Sequence, residues 1–160
     1  MVFEAAKKSD IPALAALRLA YLLEDCGAIP PDQYARIAEG LPSYFQSRLN
    51  RDLFAFVCRD GDVLAGCCFL LVVRKPPSPA FVGGKTGTVL NVYTRPGYRK
   101  QGIAGELLRM LLKKAAALGL DRVELKATDA GYPLYRSLGF EEDASKYRPM
   151  KCVLLTEDAR

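Results

Sequence analysis

The sequence predicts a single α/β domain in which helices cover both faces of a mixed sheet. The chain has 160 residues, which suits one hydrophobic core and leaves little room for a second. Asp60-Gly61-Asp62 is a hairpin signal between two apolar, strand-like runs. After that hairpin, strand-like and helix-like segments alternate, which is typical of strands connected through helices.

The N-terminal third is predicted to be helical after one short strand at Val2–Ala5. A first helix is expected over about residues 9–24, because apolar residues recur there at helical spacing. A second helix is expected over Asp32–Asn50. Pro42 is expected to divide it, since a proline ring removes a backbone donor and crowds the preceding turn.

The later elements follow from apolar periodicity and from the residues that favour turns. Val63–Arg74 is apolar almost throughout, so this strand is expected to be covered on both faces. A loop rich in proline and glycine is expected over Pro76–Gly87. The other predicted strands are Leu53–Arg59, Thr88–Thr94, Asp121–Ala127 and Met150–Leu155, and the other predicted helices are Gly102–Leu118 and Gly131–Leu138.

Composition excludes several classes of chemistry. The chain contains no histidine, which removes Ser-His-Asp and Cys-His nucleophilic sites and every histidine-containing zinc site. The net charge is +5, but lysine and arginine occur singly or in pairs, so no basic run tracks a nucleic acid backbone. Five cysteines without a Cys-x-x-Cys pair are typical of small buried hydrophobes in a reducing compartment. We therefore expect a cytoplasmic protein with no membrane segment, no nucleic acid partner and no metal.

The most informative stretch is Arg99-Lys100-Gln101-Gly102-Ile103-Ala104, between a predicted strand and a predicted helix. The first N–H groups of a helix have no intrahelical partner and lie at the positive end of the helix dipole. Gly102 and Ala104 keep bulky side chains out of the way, so a diphosphate can approach the backbone closely. The stretch therefore predicts a phosphate-binding cradle, with a tight strand-to-helix turn as the structural alternative.

The cradle and its surroundings resemble the GNAT superfamily of N-acetyltransferases. Arg99-x-x-Gly102-x-Ala104 fits that family's [QR]-x-x-G-x-[GA] signature, and Asn91-Val92-Tyr93-Thr94 precedes it as in the family. Downstream, Leu134-Tyr135-Arg136-Ser137-Leu138-Gly139-Phe140 is similar to the family's second landmark. The resemblance is sharp from about Val63 to Phe140 and faint over the N-terminal helices.

The resemblance implies a GNAT-type, mostly antiparallel sheet that binds acetyl-CoA as co-substrate. The backbone around Val92, Tyr93 and Thr94 is expected to bind the pantetheine arm, and Thr128 offers a hydroxyl where many members carry asparagine. Tyr135 matches the tyrosine that protonates the departing thiolate. The diphosphate is expected on the amides of Arg99, Lys100, Gln101, Gly102, Ile103, Ala104 and Gly105.

The general base stays unassigned. Some members of the family place a catalytic glutamate where this chain has Val123, and the adjacent Glu124 is expected on the opposite face of its strand. Glu24, Asp25 and Glu39 are candidates from the variable N-terminal helices, although each is also an ordinary surface charge. The same three residues hint at a cationic acceptor.

These observations predict an N-acetyltransferase that acts on a primary amine of a small molecule or a peptide. A catalytically idle module that binds CoA or a partner protein is the alternative. We expect one domain over residues 1–160, with acceptor-side helices in 1–52 and an acetyl-CoA-binding core in 53–155. The acceptor and the oligomeric state are left open, with a homodimer as one option.

Overall fold

The computed structural model describes residues 1–154, which form one five-stranded sheet with helices on both faces. The strands lie in the order β1-β2-β3-β4-β5, and every neighbouring pair is antiparallel except β4 and β5. The predicted fold class is therefore confirmed. The strands are β1 (Val2–Ala5), β2 (Leu53–Asp60), β3 (Val63–Arg74), β4 (Lys85–Thr94) and β5 (Arg122–Glu124), and the helices are α1 (Ile11–Cys26), α2 (Pro31–Arg48), α3 (Ile103–Ala117) and α4 (Tyr132–Ser137).

The sheet separates two apolar clusters. On one face, Leu14 and Leu17 of α1 and Phe45 of α2 are buried against β2 and β3. On the other face, α3 buries its apolar stripe, including Leu107 and Leu111, against the same strands. Because alternate residues of a strand point to opposite faces, β3 is buried on both sides over most of its length, as its apolar sequence predicts.

Helix α2 is continuous, so the predicted division at Pro42 is wrong. Pro42 lies on the exposed side of the helix, where water can bond the carbonyl that the proline leaves without a donor. One turn further on, Phe45 is fully buried and contacts Phe69 edge to face, with ring centroids 5.5 Å apart. This burial offsets the lost hydrogen bond and holds the helix together.

The C-terminal strands differ most from the prediction. Strand β5 covers Arg122–Glu124 only, and residues 150–154 of the predicted strand Met150–Leu155 have no regular structure. Leu155 lies outside the described residues. A strand needs a neighbouring strand to pair with its backbone N–H and C=O groups. Met150 and Leu154 are instead 93% and 88% exposed, so no neighbouring element within residues 1–154 covers them. Apolar sequence alone therefore does not create a strand here.

Strand β4, in contrast, begins three residues earlier than predicted, at Lys85.

Residues 1–154 contain neither a membrane-spanning helix nor a cluster of metal ligands. No helix in that range is long and apolar enough to cross a membrane. Nor do three His, Cys, Asp or Glu side chains in the same range come together as metal ligands.

Candidate functional site

Strand β4 carries a β-bulge at the centre of the candidate site. Cys67 pairs with Tyr93 and Phe69 pairs with Leu90, so the single residue between them on β3 faces both Asn91 and Val92. Asn91 adopts the left-handed conformation, with φ at 54°. A bulge of this kind bends a strand and redirects the backbone groups beside it.

Hydrogen bonds of the Asn91 side chain stabilise this bulge. Asn91 is 4% exposed, and its side-chain amide nitrogen donates to the Cys67 sulfur at 3.3 Å. Its side-chain oxygen accepts from the Arg18 guanidinium of α1 at 3.2 Å. Burial raises the pKa of Cys67 to about 12, so that sulfur stays a neutral thiol at neutral pH. Sequence reasoning missed the role of Asn91; an asparagine inside a run of strand-forming residues was the available signal.

One edge of β4 is open along its C-terminal half. Strand β5 pairs with β4 only from Thr86 to Thr88, and within residues 1–154 no strand pairs with that edge beyond Thr88. The N–H of Arg95 donates to Ala65 of β3, at 2.8 Å. Because the N–H and C=O of one peptide unit point in opposite directions, the carbonyl of Thr94 faces the open edge. Val92 lies two residues earlier and shares that direction.

The predicted cradle follows β4 directly. Lys100 and Gly102 both have positive φ, 61° and 79°, and α3 begins at Ile103. The first intrahelical bond runs from the N–H of Glu106 to the carbonyl of Gly102, at 3.1 Å. The N–H groups of residues 103–105 therefore have no intrahelical acceptor, which is the condition for anion binding. The N–H of Arg99 differs, because it donates to Pro96 at 3.3 Å.

Gly66 brings the cradle close to the sheet. A Cβ at this position would lie 2.9 Å from the Tyr93 carbonyl oxygen and 3.1 Å from the Ile103 side chain. A larger residue would push the first turn of α3 away from β4. Glycine at position 66 thus holds the cradle amides beside the open edge of β4.

The Arg99 side chain connects the cradle with two other elements. Its Nε donates to the Thr94 carbonyl at 2.9 Å, and one Nη donates to the Glu24 carboxylate of α1 at 2.6 Å. Its guanidinium lies 5.7 Å from the centre of the Tyr93 ring. The hydrogen bond to Glu24 raises the pKa of Arg99, which stays charged at every physiological pH.

Tyr135 lies half-buried on α4, on the α3 side of the sheet. Burial raises its pKa above 10, with smaller contributions from nearby Tyr21 and Cys68. Its ring contacts Phe140 edge to face, with centroids 5.9 Å apart. Helix α4 packs on the first turn of α3, since a Cβ on Gly105 would lie 3.5 Å from Leu134.

Thr128 takes part in the turn that begins α4. Its hydroxyl oxygen accepts from the N–H of Gly131 at 3.1 Å, and its carbonyl accepts from Tyr132 at 2.9 Å. A Cβ on Gly131 would lie 2.9 Å from the Tyr135 ring, so glycine there leaves room for that ring. The hydroxyl of Thr128 keeps its own proton for one further hydrogen bond.

The acidic candidates occupy different surroundings. Glu24 is paired with Arg99 beside the cradle, and Asp25 lies close enough to Tyr21 to contribute to the raised pKa of that phenol, after burial itself. Glu39 is exposed on α2. Glu124 pairs with Arg122 of its own strand at 2.6 Å. Of these carboxylates, only Glu24 makes a hydrogen bond to a predicted coenzyme-binding residue.

Solved structures share this fold. An acetyltransferase from Clostridium acetobutylicum, described as predicted and solved with acetyl-CoA, is 24% identical; 94% of this chain and 95% of that chain align, with a TM-score of 0.80. A GCN5-related N-acetyltransferase from Ralstonia eutropha is also 24% identical, over 93% and 97% of the two chains, with a TM-score of 0.78. An acetyltransferase from Trypanosoma brucei is 22% identical, over 96% and 99%, with a TM-score of 0.63.

No curated protein matches the sequence significantly. The family model described as "Acetyltransferase (GNAT) family" matches residues 18–140, which include the β4 bulge, the cradle and Tyr135. That range covers about three quarters of the chain, and the solved structures share its fold. The chain belongs to the GNAT acetyltransferase family.

Proposed function

We propose that the protein transfers an acetyl group from acetyl-CoA directly to a primary amine of a small molecule or a peptide. One observation carries the proposal: unpaired helix N–H groups at residues 103–105 adjoin the open edge of β4. A diphosphate with a long amide-containing arm is complementary to this pair of features, because the first takes anions and the second takes amides. The acetyl-CoA in the Clostridium acetobutylicum structure is consistent with such a ligand.

In this proposal the diphosphate binds the amides of residues 100–105, with Arg99 and Lys100 supplying positive charge. The Arg99 amide is the weakest of the predicted contacts, because Pro96 already accepts from it. The backbone of Val92 and Thr94 binds the pantetheine arm beside Tyr93. At Thr94 the N–H makes this contact, because the carbonyl already accepts from Arg99. The Thr128 hydroxyl donates to the same arm.

The proposed reaction needs a fixed donor for the oxyanion and an acid for the thiolate. The neutral amine attacks the thioester carbon, and the redirected backbone N–H beside the Asn91 bulge stabilises the oxyanion that develops. The carbon–sulfur bond then breaks, and the sulfur takes its proton from the Tyr135 hydroxyl. The amine releases one proton before the attack and a second afterwards, and the second restores Tyr135.

A panel of amines with free-thiol detection tests this function. Cadaverine, lysine, an amino sugar, a peptide with a free N-terminus and aniline are each incubated with the protein and acetyl-CoA. Thiol release together with an acetylated amine in the mass spectrum supports the proposal. Saturable acetyl-CoA binding without thiol release from any amine favours the idle CoA-binding module. Absence of acetyl-CoA binding contradicts both.

A further inference from the structure

Helix α1 contacts the candidate site through a single stripe of side chains. Arg18 donates a hydrogen bond to Asn91 at the β4 bulge. Tyr21 contacts the Tyr93 ring edge to face, with centroids 6.5 Å apart. Glu24 accepts a hydrogen bond from Arg99. The three α1 residues are spaced by three, so they lie on one face of the helix. An acceptor-side helix thus contacts both the predicted reaction centre and the predicted diphosphate site.

The Glu24–Arg99 pair is exposed and therefore open to competition. The side chains are 50% and 41% exposed, and pairs with this exposure contribute little to stability. The amides that follow Arg99 form the cradle, so an anion bound there brings negative charge close to the same guanidinium. A diphosphate and the Glu24 carboxylate then repel each other and compete for one cation.

We infer that Glu24 binds a protonated amino group of an alkylamine acceptor, distinct from the neutral amine that attacks the thioester, and that Glu24 becomes available when the coenzyme diphosphate takes Arg99 from it. This inference rests on the proposed function and names the substrate class of that site. Once released, the carboxylate lies one turn from Tyr21 on the side of the sheet opposite α3. An ammonium group satisfies a carboxylate that has lost its guanidinium partner. Aryl amines, which are neutral at pH 7, gain nothing from it.

The variant Glu24→Gln tests the inference through two effects of opposite sign. It removes the competitor for Arg99, so acetyl-CoA is expected to bind about threefold more tightly. It also removes the partner of the ammonium, so the KM of cadaverine, which carries a second amino group, is expected to rise about tenfold. The KM of aniline is expected to stay unchanged. Calorimetry gives the first quantity, and thiol release gives the other two.

Asp52→Asn is the matched control, because Asp52 pairs with Arg48 at 2.8 Å on a surface outside the candidate site. It removes one carboxylate from an exposed arginine pair and is expected to change neither affinity. Coenzyme binding by Glu24→Gln that is no tighter than in the wild type overturns the inference, as does an unchanged KM for cadaverine. A wild-type protein that fails to bind acetyl-CoA instead contradicts the proposed function itself.

Discussion

At the scale of single residues, the proposed acid role of Tyr135 depends on the proton that its phenol carries. Burial raises the pKa of its phenol above the ordinary value of 10, so the hydroxyl stays protonated at neutral pH. A protonated phenol can give its proton to a thiolate, but a phenolate cannot. The residue type and the following Gly139-Phe140 make Tyr135 a candidate site residue from sequence alone. Its half-burial cannot be predicted in this way, because it depends on how α4 packs against α3.

Tyr135→Phe keeps the ring and removes the proton donor. Turnover is expected to fall about a hundredfold, which is the low end of the contribution that general acids make. Acetyl-CoA affinity is expected to stay within about twofold, because in the proposed reaction the hydroxyl acts only on the departing sulfur. Tyr132→Phe is the control, since the Tyr132 hydroxyl donates to Glu142 on the surface. Equal turnover in Tyr135→Phe and the wild type would remove Tyr135 from the acid role.

Asn91 combines two requirements at one position, a left-handed backbone and a bonded side chain. Asn91→Ala loses the hydrogen bonds to Arg18 and Cys67 and forces alanine into the left-handed conformation, at φ 54°. We therefore expect the free energy of unfolding to fall by about 2–3 kcal/mol. Asn91→Gly loses only the bonds and is expected to be about 1 kcal/mol more stable than Asn91→Ala. Urea denaturation of both variants measures the difference. Identical stabilities would argue against the backbone requirement.

At the scale of elements, most helices and strands were predictable because their apolar residues face one buried surface. Helix α3 is predicted to within a residue at each end, since its apolar stripe packs directly on the sheet. The wrong predictions share a physical cause, because each depends on contacts with another part of the chain. Local sequence could not tell that burial of Phe45 outweighs Pro42, or that residues 150–154 find no strand partner. The bulge at Asn91 depends on register with β3, which no segment determines alone.

The junction between β1, β2 and α1 is held by an ionic cluster. The Asp10 carboxylate accepts from the Lys7 backbone N–H at 2.8 Å and from Arg59 at 2.7 Å, and Arg59 also bonds Glu4 at 2.9 Å. Burial disfavours the charged form of Asp10 and by itself raises its pKa. The hydrogen bonds from Lys7 and Arg59 outweigh that effect and hold the pKa below 3.8.

A lowered pKa makes the Asp10 contribution depend on pH in a known direction. The stabilisation is fully present above about pH 3.8 and is lost as the pH falls through the folded-state value. Asp10→Asn is expected to lower the free energy of unfolding by about 2 kcal/mol at pH 7, and by less at pH 3. Urea denaturation at the two pH values measures this. Asp62→Asn, on the exposed hairpin turn, is the control, and a difference that grows in acid would contradict the argument.

At the scale of the whole molecule, local sequence predicts the backbone geometry of the proposed donor side but not that of the proposed acceptor side. The cradle is local, because Arg99 to Gly105 lie on one turn and the first turn of a helix. The acceptor side instead depends on how α1 packs along β4, which brings together residues about 75 positions apart, such as Glu24 and Arg99. Contacts of that separation leave no periodic signal in the chain.

Calorimetric titration with acetyl-CoA measures whether the N–H groups at the start of α3 bind the coenzyme diphosphate. Ala104→Glu places a carboxylate among those N–H groups, where it favours the helix but excludes an anion. Ala116→Glu adds the same charge on the exposed last turn of α3. We predict saturable binding by the wild type and by Ala116→Glu, and binding at least about thirtyfold weaker by a fully folded Ala104→Glu. Equal affinity in all three proteins would show that the diphosphate does not bind at the start of α3.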